Sequence, residues 1–296
     1  MRVLVTGASG LLGRAVTAEF KKADHEVVGV AFSRAHGDLK KLDLEDFKAV
    51  EAFVDQEKPD VIVHCAAERR PDVVEKNPNG ATNLNVQVPG FLAGLTNDRG
   101  ILLIYISTDY VFDGTSPPYD VRDKANPLNL YGKTKYEGEL EVEKLNSAAI
   151  ILRVPILYGE TEYNGESAVN ALIDSVKNGK AASMDHYAIR YPTNVADVAR
   201  VIKDLSLKVR QEKVFISGIL HFSGEEKFTK YEICEVIAKI LGVSLDHLQA
   251  DANAPKDAAT TRPYDCHLSN RCLNGLGIDT HCVKFSEWMQ GWLAKN

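Results

Sequence analysis

No run of apolar residues in this chain approaches the ~18 that a membrane-spanning helix needs, although 45% of its 296 residues are hydrophobic. Cysteine is scarce. The five present are an odd, dispersed set, which excludes a disulfide framework and points to free thiols in a reducing compartment. An excess of basic charge is missing too: 41 acidic residues against 35 basic ones give a net charge of −6. No basic stripe is available to neutralise a phosphate backbone, so no nucleic-acid partner is expected. The short run Glu68-Arg69-Arg70 is local. Val3-Leu4-Val5 is too short for the apolar core of a signal peptide, so a cytoplasmic location without a membrane is expected. Cys266-His267, Cys272 and His281-Cys282 fit no standard zinc spacing. They are read as buried thiols and surface histidines, and no metal is expected. Internal repeats and low-complexity linkers are absent as well.

What is present is an alternation of apolar runs and amphipathic stretches. Strands are expected over 2–6, 26–32, 61–65, 101–106 and 148–154, with helices over 11–22, 47–56, 81–97 and 128–145. Continuous apolar strands separated by helices imply a parallel sheet covered on both faces. The expected class is α/β, a Rossmann-type doubly wound parallel sheet with a smaller, partly interleaved C-terminal lobe. Residues 1–155 form the dinucleotide-binding domain, with 190–216 returning to it, and 156–296 form the lobe. After Pro155 the pattern loosens. Helices are expected over 167–177, 195–207 and 229–241, the last capped by Thr229, with a strand over 219–222. The Ala-, Asp- and Pro-rich stretch 251–266 is expected to be irregular.

Thr6-Gly7-Ala8-Ser9-Gly10-Leu11-Leu12-Gly13 follows the first strand and opens the first helix. Gly7 permits the tight turn, Gly10 lets backbone approach a pyrophosphate, and Gly13 lets the helix lie close on the strand. The helix N-terminus then offers free N–H groups and a positive dipole to phosphate. The second strand ends at Phe32-Ser33-Arg34, where an NAD site would carry an acid for the ribose hydroxyls. Arg34 and the Ser33 hydroxyl suit a 2′-phosphate instead, so NADP is expected. Tyr131 and Lys135 stand one helical turn apart on one face.

The G-x-x-G-x-x-G spacing resembles the extended branch of the short-chain dehydrogenase/reductase superfamily. In that superfamily Asp43-Leu44 would bracket the adenine. Lys135 would bind the nicotinamide ribose and lower the pKa of Tyr131, which would act as general acid with Thr108 beside it. The segments S-T-D-Y-V-F-D-G from Ser107, N-L-Y-G-K-T-K from Asn129 and R-V-P-I-L-Y-G from Arg153 resemble the dTDP-4-dehydrorhamnose reductase family. H-C-A-A-E-R-R-P-D-V-V-E from His64, M-D-H from Met184 and G-I-L-H-F-S-G from Gly218 resemble more closely the regulatory β subunits of methionine adenosyltransferase.

That resemblance implies an NADP-holding subunit that binds a methionine adenosyltransferase catalytic subunit and modulates S-adenosylmethionine synthesis. A nucleotide-sugar reductase is the alternative. The implied cofactor contacts are Ser9, Gly10, Leu11, Leu12, Phe32, Ser33, Arg34, Asp43, Leu44, Cys65, Arg69, Tyr131, Lys135 and Leu157. Thr108, Tyr131 and Lys135 would be the catalytic set of an active enzyme. Ile156 stands where the sugar reductases carry Trp. The chain stops at Asn296, short of the tail with which the β subunits dock into their partner. Tyr187, Tyr191 and Trp288 are candidate anchors for a partner.

Overall fold

The computed structural model describes residues 1–254 and 260–296. In chain order the first half contains β1 (Arg2–Thr6), α1 (Leu11–Lys22), β2 (Glu26–Ala31), β3 (Lys40–Lys41), α2 (Phe47–Glu57), β4 (Val61–His64), α3 (Pro71–Lys76), α4 (Pro78–Thr82), α5 (Val88–Arg99), β5 (Leu102–Thr108), α6 (Leu130–Leu145) and β6 (Ile150–Val154). The second half adds β7 (Leu157–Tyr158), α7 (Ala171–Lys177), β8 (Ala182–Asp185), β9 (Thr193–Asn194), α8 (Val195–Arg210), β10 (Gly218–His221), α9 (Lys230–Leu241), β11 (Leu248–Asp251), α10 (Arg271–Gly275) and α11 (Phe285–Leu293).

Seven strands pair in parallel in the order β10-β6-β5-β4-β1-β2-β3. Strands β4 and β6 are buried along their whole length, as a sheet covered on both faces requires. One face carries α1 and α8, packed on Val3, Val5, Val63 and Ile104. The other carries α2, α5 and α6 over Leu4, Ile62, Leu103 and Ile151. The strand order reverses between β1 and β4, which opens a crevice beyond their carboxyl ends.

Local signals account for the helix ends. Asp46 caps α2 by accepting from the Ala49 N–H, and Asn129 caps α6 by accepting from Gly132. Thr229 and Glu232 form a reciprocal capping box on α9, which ends at Gly242 with φ +67°. These devices satisfy backbone groups that a helix terminus leaves orphaned.

Two expectations need correction, and one needs detail. The stretch 81–97 is helical throughout, as expected, but α4 passes through a π-turn, Asn83–Gln87, before α5 begins with Pro89 in its first turn. Residues 219–222, placed in the smaller lobe, belong to the sheet. β10 pairs with β6 and covers an edge that would otherwise expose unpaired backbone. Within 251–266, Asp251 ends a strand that pairs with β8, and residues 255–259 lie outside the described residues.

A separate apolar cluster joins Tyr158, Ile173, Ile237, Phe285 and Met289 from α7, α9, α11 and the segment after β6. Trp288 is part of its wall, edge-on to Tyr158 and stacked on Trp292. Tyr191 is 7% exposed and stacks on His267. Tyr191 is therefore closed off as an anchor for a partner, whereas Trp288 is half-buried, and His267 is half-buried rather than a surface histidine. All five cysteines are free thiols. Among the described residues no helix is long and apolar enough to cross a membrane.

Candidate functional site

A cavity of about 830 Å³ opens beyond the carboxyl ends of β1, β2, β4 and β5. Its wall includes every residue expected to touch a dinucleotide, from Ser9 to Leu157, together with Thr108. The glycine turn forms one end. Gly7 has φ +64°, and a Cβ there would sit 2.8 Å from the Ala66 nitrogen. A Cβ on Gly13 would overlap the Gly7 carbonyl oxygen, well inside 3.0 Å. Both glycines are therefore required by close approach of backbone to backbone. Helix α1 has no side-chain cap at Gly10 and no acid in its first turn. Its first N–H groups face the cavity and meet no acceptor among the described residues, an arrangement suited to an anion.

At the end of β2, Arg34 is half-exposed and reaches two carboxylates: Glu166 at 3.2 Å and Glu162 at 3.6 Å. Glu166 is almost fully buried. Arg14 of α1 grips it with both guanidinium nitrogens, at 2.5 and 2.7 Å. These guanidinium contacts hold the Glu166 carboxyl below the usual carboxylate range, against the opposing effect of burial. Arg69 donates to the Glu166 backbone carbonyl. One short 3₁₀ segment, Asn164–Glu166, thus ties α1, the end of β2 and the loop after β4 together around one carboxylate. The sequence reading misses Arg14 and Glu166. Helix and loop are 152 residues apart, and no local pattern links them.

Asn85 is the second omission. It sits in the π-turn, is 1% exposed, accepts from the Glu68 N–H and donates to the Glu68 carbonyl and to Thr134. It locks the loop carrying Arg69 to α6, which carries Tyr131 and Lys135. A π-turn inside a helix is a recognised mark of a functional position, and the unusual Asn in an apolar helical register was the available signal.

Thr108 ends β5, and Tyr131 and Lys135 stand on α6, all facing the same cavity. Lys135 is 2% exposed. Its ammonium donates to the Ile106 carbonyl at 2.8 Å and lies 4.1 Å from the Tyr105 ring centre. Burial pushes its pKa down to about 7, with Glu139 opposing. Here the expected electrostatics are corrected. The Tyr131 hydroxyl is pushed up, chiefly by burial and further by Asp109 and Tyr110. A hydrogen bond with Thr108 and the charge of Arg69 oppose that rise. Lys135 points at backbone and at Tyr105. Asp109 next door is 7% exposed, and burial raises it to about 6.

Similarity to known proteins follows this geometry. The RmlD substrate binding domain family model matches residues 1–292. The chain belongs to that family. Within it, the chain is 48% identical over 278 residues to Methionine adenosyltransferase 2 subunit beta of Bos taurus, covering 94% of this chain and 83% of that protein. The resemblance carried by His64–Glu75 and Gly218–Gly224 is thereby shown, and the chain groups with those β subunits. Among solved structures, a dTDP-4-dehydrorhamnose reductase of Clostridium acetobutylicum superposes with TM-score 0.85 at 30% identity, covering 100% of this chain and 99% of the other. The same enzyme of Bacillus anthracis, solved in complex with NADP, gives 0.84 at 26% identity, covering 100% and 98%. The expected doubly wound sheet is shown by both.

Proposed function

We propose that this chain is an NADP-binding regulatory subunit that associates with a methionine adenosyltransferase catalytic subunit in the cytosol and modulates S-adenosylmethionine synthesis. The observation that carries the reading is 48% identity along 94% of the chain to the bovine β subunit. The cavity supports it. Uncapped N–H groups of α1 suit a pyrophosphate, Arg34 with Ser33 suits a 2′-phosphate, and Asp43-Leu44 flanks the adenine end. Cys65, Leu157, Tyr131 and Lys135 would then hold the nicotinamide end. Residues 1–155, with α8 returning, would form the cofactor domain, and most of 156–296 the lobe offered to a partner. When bound, NADP would supply hydride chemistry; Thr108, Tyr131 and Lys135 are what this chain would bring to it.

Size-exclusion chromatography with the cognate catalytic subunit should give co-elution, and the synthesis rate should change on mixing. Separate elution at micromolar concentration, with and without NADP, together with an unchanged rate, would overturn the reading. The reductase alternative rests on Thr108, Tyr131 and Lys135 sharing one cavity. It predicts turnover of dTDP-4-dehydro-6-deoxy-L-mannose near the enzyme median of ~10 s⁻¹, lost in Tyr131→Phe. We expect no such turnover, since Ile156 lines the wall where the sugar reductases carry Trp.

Cofactor choice has its own test. Arg34→Ala should weaken NADP by about 1.5 kcal/mol, roughly tenfold, the lower end for a charge-assisted contact. The lower end applies because Arg34 also serves Glu166 and Glu162. NAD affinity should stay unchanged. Calorimetry with both cofactors decides it, and equal wild-type affinity for the two would remove the role assigned to Arg34.

A further inference from the structure

Beyond the half of the cavity that suits a dinucleotide, its wall carries two cations that make no ion pair among the described residues, although Asp109 lies near enough to feel the charge of Arg190. Arg190 is 5% exposed and lines this wall. All its side-chain hydrogen bonds among the described residues leave from Nη1, to the backbone carbonyls of Ile189, Pro263 and Tyr264. Nε and Nη2 donate to nothing described, and no carboxylate of the described residues lies within ion-pair distance. Lys230 is half-buried in the same wall and makes neither a hydrogen bond nor an ion pair among the described residues. It is the first residue of α9, where a positive charge opposes the helix dipole. Arg262 completes the group but is already paired with Asp72 at 3.1 Å.

Two unmatched cations in a half-dry pocket are costly unless something answers them. Burial and the nearby charges of Arg262 and Arg190 push the Lys230 amine down, with Asp185 and Asp72 opposing. An anion in the pocket would remove that conflict. Tyr110 is covered edge-on by Tyr131 at 5.9 Å, and the Arg190 guanidinium stands 5.9 Å from its ring centre.

We propose that Arg190 and Lys230 form a binding site for a small organic anion, a carboxylate or a phosphate monoester, whose neutral end faces Tyr131 and Thr108. The site deepens the regulatory reading by giving the subunit a second ligand beside its cofactor. It stands on its own residues, however, and does not require NADP to be correct.

The test uses the full chain, with and without NADP, titrated at constant ionic strength with inorganic phosphate, malonate and glycerol 3-phosphate. Calorimetry should show at least one of them binding 1:1 below about 10 mM without displacing NADP. The phosphate and malonate arms separate the two anion chemistries. Lys230→Met should weaken that anion by about tenfold or more, leave NADP affinity unchanged, and leave thermal stability equal or raised. A merely structural lysine would lower stability and spare nothing. Arg190→Lys should weaken the anion as well; if it fails to fold, Lys230→Met alone decides. The proposal is overturned if no probe saturates, if the anion competes with NADP, or if Lys230→Met binds as the wild type does. Failure of NADP to bind would sink the cofactor reading and leave the anion titration standing.

Discussion

Glu139→Ala lowers the stability of the folded chain by about 3–5 kcal/mol, the range for removing one partner of a buried ion pair. Arg153 on β6 and Glu139 on α6 have side-chain exposures of 2% and 1%. They meet through two parallel hydrogen bonds, Nε to Oε1 at 2.9 Å and Nη2 to Oε2 at 2.6 Å. Without the carboxylate the guanidinium touches, among the described residues, only the Phe112 ring, 5.1 Å away, and the ring of His221, with Glu143 at longer range. Burial and Arg153 push the His221 imidazole down to about 3, so it stays neutral and leaves the guanidinium charge uncompensated. The uncompensated cation is what destabilises the variant. Chemical denaturation should show the loss, and the thermal midpoint should fall by about 10 °C. Glu139→Leu combined with Arg153→Met should recover most of it, because the isolated charge is then gone. A loss under about 1 kcal/mol in Glu139→Ala would mean that water reaches Arg153 and that the pair is not dry. The same pair matters to the site. Glu139 lies one turn beyond Lys135, and its charge opposes the fall in the Lys135 pKa.

Gly13→Val removes dinucleotide binding. The new Cβ would overlap the Gly7 carbonyl oxygen and crowd the Ala8 Cα, both backbone, so neither can swing aside. Helix α1 must lift from β1, which carries its free N–H groups away from the turn. A displacement near 1 Å costs on the order of a hundredfold in a positioned site, and overpacking costs about 1–3 kcal/mol of stability. Gly94→Val is the control. It also lies in a helix, but nothing stands within 4 Å of its Cβ position, and binding should be unaffected. Equal NADP affinity in Gly13→Val and wild type would show that the glycine turn is not the pyrophosphate site.

Much of the cofactor half of this protein was written locally. The runs Arg2–Thr6, Val61–His64 and Ile150–Val154 are mostly apolar because both faces of their sheet are covered. The turn at Gly7 to Gly13 and the caps at Thr229 and Asn129 each depend on residues a few positions apart. Such features can be read from order and spacing alone. So could the β-subunit likeness, because H-C-A-A-E-R-R-P-D-V-V-E is contiguous.

Tertiary structure decided what distant segments do to one another. The strands β7, β8, β9 and β11 have two to four residues each and carry no period of their own. The place of β10 depended on β6 leaving an edge to be paired. Glu166 mattered only once α1 and β2 had brought Arg14 and Arg34 to it. Tyr191 became core because the His267 ring closed over it, and Trp288 packed against an apolar cluster while staying half-buried. The protonation of Tyr131 and Lys135 followed their depth in the cavity and the direction of the Lys135 amine rather than the four-residue spacing. Sequence order encodes backbone propensity and the face on which a residue lies. Burial, and the charge that reaches a group across the fold, exist only after the chain has closed on itself.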